Sequence, residues 1–169
     1  MSGKVVVYDD DHYAVGSAIA EKLSVEGAEV TLVTPAPLVS HWTHNTLEQA
    51  SIERRIVNAG VRVVARGKAI EIRKGVFAFN DGVSCRQMEL ASDHVVFVSS
   101  RQSVDSLVVD VRARRAEWAD AGVERVSALG DALAPGMIVH AIYAGHRYAR
   151  ELDMVIDPDA VPFRRDLPR

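Results

Sequence analysis

Near the amino terminus the pattern of apolar positions changes period abruptly. Val5-Val6-Val7-Tyr8 is a continuous, largely β-branched apolar run, the pattern of a parallel strand buried on both faces. Gly16, Ile19, Ala20 and Leu23 then recur at i, i+3, i+4 and i+7, so they share one face of a helix able to pack back on that strand. Gly27 supplies a stop and Glu29–Thr34 reads as a second strand. A loop over Pro35–Asn45 follows, with Asn45 or Thr43 placed to cap a helix over Thr46–Ala59 whose Leu47, Ala50, Ile52 and Ile56 have broadly helical spacing. Val61–Val64, Lys68–Ile72 and Val76–Phe79 are short runs of strand type, and Asn80-Asp81-Gly82 is a hairpin signal that predicts Val83–Leu90 as the return strand. Asp93–Val98 is a further buried strand. Ser103–Ala121 predicts a helix, Arg125–Leu129 a last strand, and about Met137 to Leu152 a helix that turns Ile138, Ile142, Ala149 and Leu152 inward.

The order βαβαβ, three meander strands, β, α, β, α predicts an α/β fold. It is a Rossmann-like three-layer domain with a central parallel sheet and a small antiparallel β-meander on one face. Residues 1–153 make this domain and residues 154–169 an irregular tail, where periodicity is lost among prolines.

The chemistry of the first turn runs against that fold's usual ligand. A pyrophosphate needs glycines that let backbone N–H groups approach it at the positive end of a helix. Here Asp9, Asp10 and Asp11 put negative charge in that position, and Gly16 is what remains of the glycine pattern. The second strand ends Thr34-Pro35-Ala36-Pro37, with neither the acid that holds ribose hydroxyls nor an arginine for a 2′-phosphate. The strand over 93–98 ends Ser99-Ser100-Arg101 where a close-approach glycine is common. Three contacts are altered together, which reads as a nucleotide site that has been retired.

Composition narrows the alternatives. The 169 residues are 48% apolar and 25% charged with net charge −3, so neither nucleic acid nor an anionic membrane surface is an expected partner. The single cysteine, Cys85, forms no internal disulfide and rules out a Cys-rich cluster site within this chain. With no leader or membrane-spanning apolar run, the expected location is cytoplasmic. No nucleophile, base and orienter come together in the sequence, and the chain by itself is not expected to be catalytic. His41 and His44 flank Trp42 at a spacing of three without a carboxylate or thiol beside them, a poor metal site.

Three stretches carry a resemblance. DDDHYAVGSAIAEKL, EVTLVTPAPLVSHWTHNTLEQ and GDALAPGMIVHAIYAGHRYARELD together resemble the C-terminal region of the trimethylamine dehydrogenase, histamine dehydrogenase and dimethylglycine demethylase group, to which 2,4-dienoyl-CoA reductase is related. The resemblance implies a domain or subunit of a flavin-dependent amine dehydrogenase or demethylase, whose partner is an FMN-containing barrel or the rest of a larger flavoenzyme. It implies that residues 124–153 correspond to a returning segment of an FAD-type domain, with Gly130-Asp131 matching a motif that lies against FAD or ADP. The other half of that site would precede residue 1. FAD or ADP is therefore possible only at a site shared with another segment, NAD(P) is disfavoured, and no cofactor is expected to bind this chain tightly.

Two other readings compete. In one, a nucleotide still binds, with Tyr13 stacking on a ring, Arg101 supplying charge, and Asp9 or Asp11 neutral or turned away. In the other, VVVYDDD is a receiver-like Mg²⁺ pocket, although the third strand ends Val64-Ala65-Arg66 without the aspartate such a pocket needs.

Overall fold

The computed structural model describes residues 2–153. They fall into two units that divide after Ser100. The first contains seven strands and two helices: β1 (Lys4–Asp9), α1 (Ala14–Val25), β2 (Glu29–Thr34), α2 (Gln49–Asn58), β3 (Arg62–Ala65), β4 (Gly67–Arg73), β5 (Val76–Asp81), β6 (Gln87–Ala91) and β7 (His94–Val98). A parallel sheet has the order β3-β2-β1-β7, and an antiparallel sheet the order β4-β5-β6. The α/β architecture with a parallel sheet and a separate meander is the one the sequence predicts.

Burial explains the continuous apolar run of β1. Val5 and Val7 face one side with Ala20, Leu32 and Ile56, while Val6 and Tyr8 face the other with Phe77 and Phe79 of the meander. Helices therefore cover one face of the parallel sheet and the meander the other. Gly67 allows that second contact: a Cβ there would lie 2.7 Å from Val33 Cγ1 and 3.0 Å from the Phe79 ring.

Local expectations shift in three places. Thr46–Ala59 is not one helix. A 3₁₀ turn spans His41–Thr46, Leu47 takes a left-handed φ of 63°, and α2 begins at Gln49. Leu47 is consequently 89% exposed and does not share the inner face with Ile52 and Ile56. The hairpin after β5 is longer than a two-residue turn, because the Asp81 carboxylate accepts the Val83 and Ser84 N–H groups and the Ser84 hydroxyl. Pairing resumes only at Asn80↔Gln87, so the return strand is Gln87–Ala91.

The second unit differs more from expectation. It contains α3 (Ser106–Ala113), a 3₁₀ turn at Arg115–Glu117, another at Gly130–Ala132, and α4 (Ile138–Glu151). The helix expected over 103–121 stops at Ala113, and Trp118 instead donates its indole N–H to the Val111 carbonyl at 2.8 Å. Arg125–Leu129 forms no strand, since it finds no hydrogen-bonding edge among the described residues. Ile138, Ile142, Ala149 and Leu152 are exposed rather than packed inward, and no described residue of this unit is buried. The apolar stripe of α4 is real in the sequence, but nothing among the described residues covers it. The expected tail over 154–169 lies outside the described residues.

Candidate functional site

β1 delivers Asp9 to the carboxyl end of the parallel sheet, flanked by the ends of β2 and β7. In open α/β sheets this crevice is where ligands bind. Asp9 is completely buried. Its Oδ1 accepts the N–H groups of Asp11 and His12, both at 3.2 Å, so one carboxylate oxygen organises the turn that feeds α1. Oδ2 has no hydrogen-bond partner. Burial raises the Asp9 pKa above the usual carboxylate range, against the lowering effect of those two N–H groups.

Gly16 sits on the first turn of α1 directly against this carboxyl. A Cβ at Gly16 would lie 2.7 Å from both Asp9 Cβ and Asp9 Oδ2. The one glycine left of the phosphate-binding pattern thus makes room for an aspartate side chain. The amides of residues 11 and 12, which a phosphate at this turn would use, already bond the fully buried Asp9 carboxyl.

The segment after β2 fills the space beside the turn. Ser40 and Ser17 are both buried and their hydroxyls are 2.7 Å apart. Trp42 donates its backbone N–H to the His12 carbonyl at 3.0 Å, and its indole stacks on Tyr13 with ring centroids 6.4 Å apart. His12 itself adopts a left-handed φ of 64°, with Nε2 3.4 Å from Asp10 Oδ1. Tyr13 does stack on a ring, and that ring is the chain's own Trp42.

The structure brings Asp9, Asp11, Tyr13 and Gly16 together at one turn. Thr34 ends the neighbouring strand, is buried, and its hydroxyl accepts the Ala36 N–H at 3.2 Å, which shapes the Pro35–Pro37 bend. Ser99 is exposed beyond the end of β7. Arg101, Gly130 and Asp131 belong to the second unit. There Arg101 donates to the Gly136 carbonyl at 3.2 Å, Gly130 has a φ of +56°, and Asp131 Oδ1 accepts the Gly136 N–H at 3.2 Å. Arg101 and Asp131 both bond Gly136, while the Gly130 carbonyl accepts the Leu133 and Ala134 N–H groups at 3.0 and 2.9 Å. Sequence reasoning did not find Ser17 or Ser40; a lone serine carries no signal, and their pairing joins positions 23 residues apart. Among the described residues no three His, Cys, Asp or Glu side chains converge to hold a metal ion, and no helix is long and apolar enough to cross a membrane.

Comparison with known proteins gives the relatives of this arrangement. The family model described as the OYE-like second alpha/beta domain matches residues 1–84. The chain is 29% identical to dimethylamine dehydrogenase of Hyphomicrobium sp. (strain x), over 96% of this chain and 24% of that protein. Among solved structures, histamine dehydrogenase from Rhizobium sp. 4-9 superposes with a TM-score of 0.87 at 44% identity, covering 98% of this chain and 26% of that one. The 6-hydroxypseudooxynicotine amine oxidase of Pseudomonas geniculata N1 gives 0.78 at 34%, covering 86% of this chain and 21% of its own. The chain spans about a quarter of the length of these relatives. Thioredoxin reductase of T. acidophilum, at 15% identity and a TM-score of 0.53, shares the fold alone.

Proposed function

The chain is homologous to one domain of the trimethylamine dehydrogenase family, whose members include dimethylamine and histamine dehydrogenases, and from that premise we propose that it is a nucleotide-free structural or docking module of a flavin-dependent amine dehydrogenase. A demethylase-type activity, electron transfer and a cytoplasmic location belong to the same proposal. In this reading the catalytic flavin sits outside these residues, on an FMN-containing barrel subunit or on the remainder of a larger flavoenzyme. The coverage of about a quarter of each relative supports a partial domain of that kind.

One observation carries the nucleotide-free part. Asp9 is buried against Gly16 with its amide donors already used, so the strand–turn–helix that cradles phosphate in this fold instead cradles a carboxyl. The test is calorimetric titration of the whole chain with NADH, NADPH, FAD and ADP. No saturable heat is expected at micromolar protein, and micromolar binding of NADH or NADPH would overturn the reading.

A second reading has its own support in the other unit. Gly130 with its positive φ and Asp131 with its engaged Oδ1 form an ordered loop of the type that meets FAD or ADP. Binding there requires a segment supplied from elsewhere. FAD or ADP that binds only after the remaining flavoprotein portion is added would support this reading, with Asp131→Ala abolishing it.

A further inference from the structure

A net charge of −3 conceals a local excess of the opposite sign in the second unit. α3 carries Arg112 in its last turn, and the 3₁₀ turn at Arg115–Glu117 leads the chain on to Trp118. The indole N–H of Trp118 bonds the Val111 carbonyl at 2.8 Å, which holds the ring against the helix it follows. The chain then doubles back. The Ala121 N–H bonds the Glu117 carbonyl at 3.1 Å, Gly122 takes a left-handed φ of +67°, and the Val123 N–H bonds the Trp118 carbonyl at 2.8 Å. That reversal brings Glu124, Arg125 and Val126 beside the arginines that precede Trp118. Together Arg112, Arg115, Trp118, Glu124, Arg125 and Val126 line a cavity of about 370 Å³.

Ring faces, rather than acids, place two of its guanidinium groups. Arg115 Cζ stands 5.9 Å from the centroid of Trp118, and Arg125 Cζ 5.6 Å from that of Tyr148 on α4. A guanidinium laid on a ring keeps the N–H donors at its edge for a further acceptor. Among the described residues Arg112, Arg115 and Arg125 form no ion pair, and neither does Glu124 in the same cavity. Three guanidinium groups against one carboxylate leave two net positive charges around one space. All four side chains are exposed, so a solute reaches them. Like charges held together without a counter-charge repel, and an anion with several oxygens relieves that repulsion while accepting from more than one guanidinium fork.

We propose that this cavity is a phosphate site, which takes a dianionic phosphate, free or as a monoester, between Arg112, Arg115 and Arg125. Glu124 opposes the anion, and exposed ion pairs of this kind give a dissociation constant of about 1 mM. The site uses no residue of the β1–α1 turn or of the Gly130-Asp131 loop, and it depends on neither reading of them.

Titration of the full chain at low ionic strength tests it, followed by the NMR signals of the Trp118 indole N–H and the arginine Nε–H groups. The probes are inorganic phosphate and glycerol 3-phosphate. Saturable shifts at Trp118 are expected; tighter binding of the ester identifies an organic phosphate as the ligand, and no preference for it identifies the free ion. Arg115→Gln and Arg125→Gln should each weaken binding about fivefold, whereas Arg54→Gln, at an exposed arginine of α2, should leave it unchanged. Glu124→Gln removes the opposing charge and touches neither arginine–ring contact, so it should tighten binding about threefold. That variant keeps the test decisive if an arginine variant does not fold. Shifts that do not saturate, an equal loss in Arg54→Gln, or a Glu124→Gln protein that binds no tighter would each overturn the site. Millimolar binding that Arg115→Gln weakens and Asp131→Ala does not is distinct from the micromolar nucleotide binding sought by calorimetry, so either result stands without the other.

Discussion

Replacing Gly16 with alanine separates two opposed physical effects at one atom. On helix propensity alone, Gly→Ala in a helix stabilises by about 1 kcal/mol. Position 16 adds a steric term, because the new methyl would lie 2.7 Å from two atoms of Asp9. The aspartate cannot swing away cheaply: it is fully buried, and Oδ1 holds two amides of the turn. Overpacking of this kind costs about 1–3 kcal/mol, and a rigid neighbour sets it at the upper end. The net expectation for Gly16→Ala is a loss of about 2 kcal/mol, read from the guanidinium midpoint by far-UV circular dichroism. Gly145 in α4 provides the control, since a Cβ there meets nothing within 4 Å. Gly145→Ala should gain up to about 1 kcal/mol. A double-mutant cycle with Asp9→Gly, which removes the clashing atoms, should show Gly16→Ala costing less in that background by about 1 kcal/mol or more. If Gly16→Ala proves neutral or stabilising, like Gly145→Ala, Asp9 does not pack against α1 and the account of the retired phosphate turn fails.

Other outcomes follow from the same geometry. Because burial holds the Asp9 pKa above its unfolded value, the protonated carboxyl is favoured on folding. Its contribution is fully present below the unfolded pKa and is lost as pH rises through the raised folded value. Asp9→Asn, which keeps an oxygen to accept the two turn amides, should therefore gain on wild type in urea titrations as pH rises, with a margin that shrinks toward acid. Ser17→Ala should cost about 1–2 kcal/mol by leaving the buried Ser40 hydroxyl unpaired, and adding Ser40→Ala should cost little more. Gly67→Ala should cost about 1–3 kcal/mol in thermal melts by prying the meander off Val33. Asp81→Ala should loosen the β5–β6 turn, visible as faster amide exchange at Val83 and Ser84 with β1 and β2 unaffected.

The parts legible in sequence were those with local causes. A β-branched run, a helical apolar stripe and a glycine stop each act within a few residues, so β1, α1 and β2 and the succession of meander strands follow from the chain read in order. The departure of the first turn from a glycine-rich phosphate cradle was legible for the same reason, because three aspartates and a missing glycine turn are adjacent in the sequence. Turn geometry was less so. Asp81 and Leu47 each moved an element boundary, through carboxylate–amide bonds in one case and a left-handed residue in the other.

Which residues surround Asp9 was decided only in three dimensions. Gly16 reads as a helix–sheet contact in the sequence, yet only the folded turn shows that the atom it accommodates is a carboxyl. Tyr13 reads as a stacking platform, and only the fold supplies Trp42 as the ring. The apolar stripe of α4 is equally clear in the sequence, but periodicity states that a face is apolar and not that anything covers it. Amphipathic pattern is a property of one element, whereas burial belongs to a pair. The chain alone therefore determined the scaffold and the aspartates and missing glycines of its first turn, and the tertiary structure determined what fills the space.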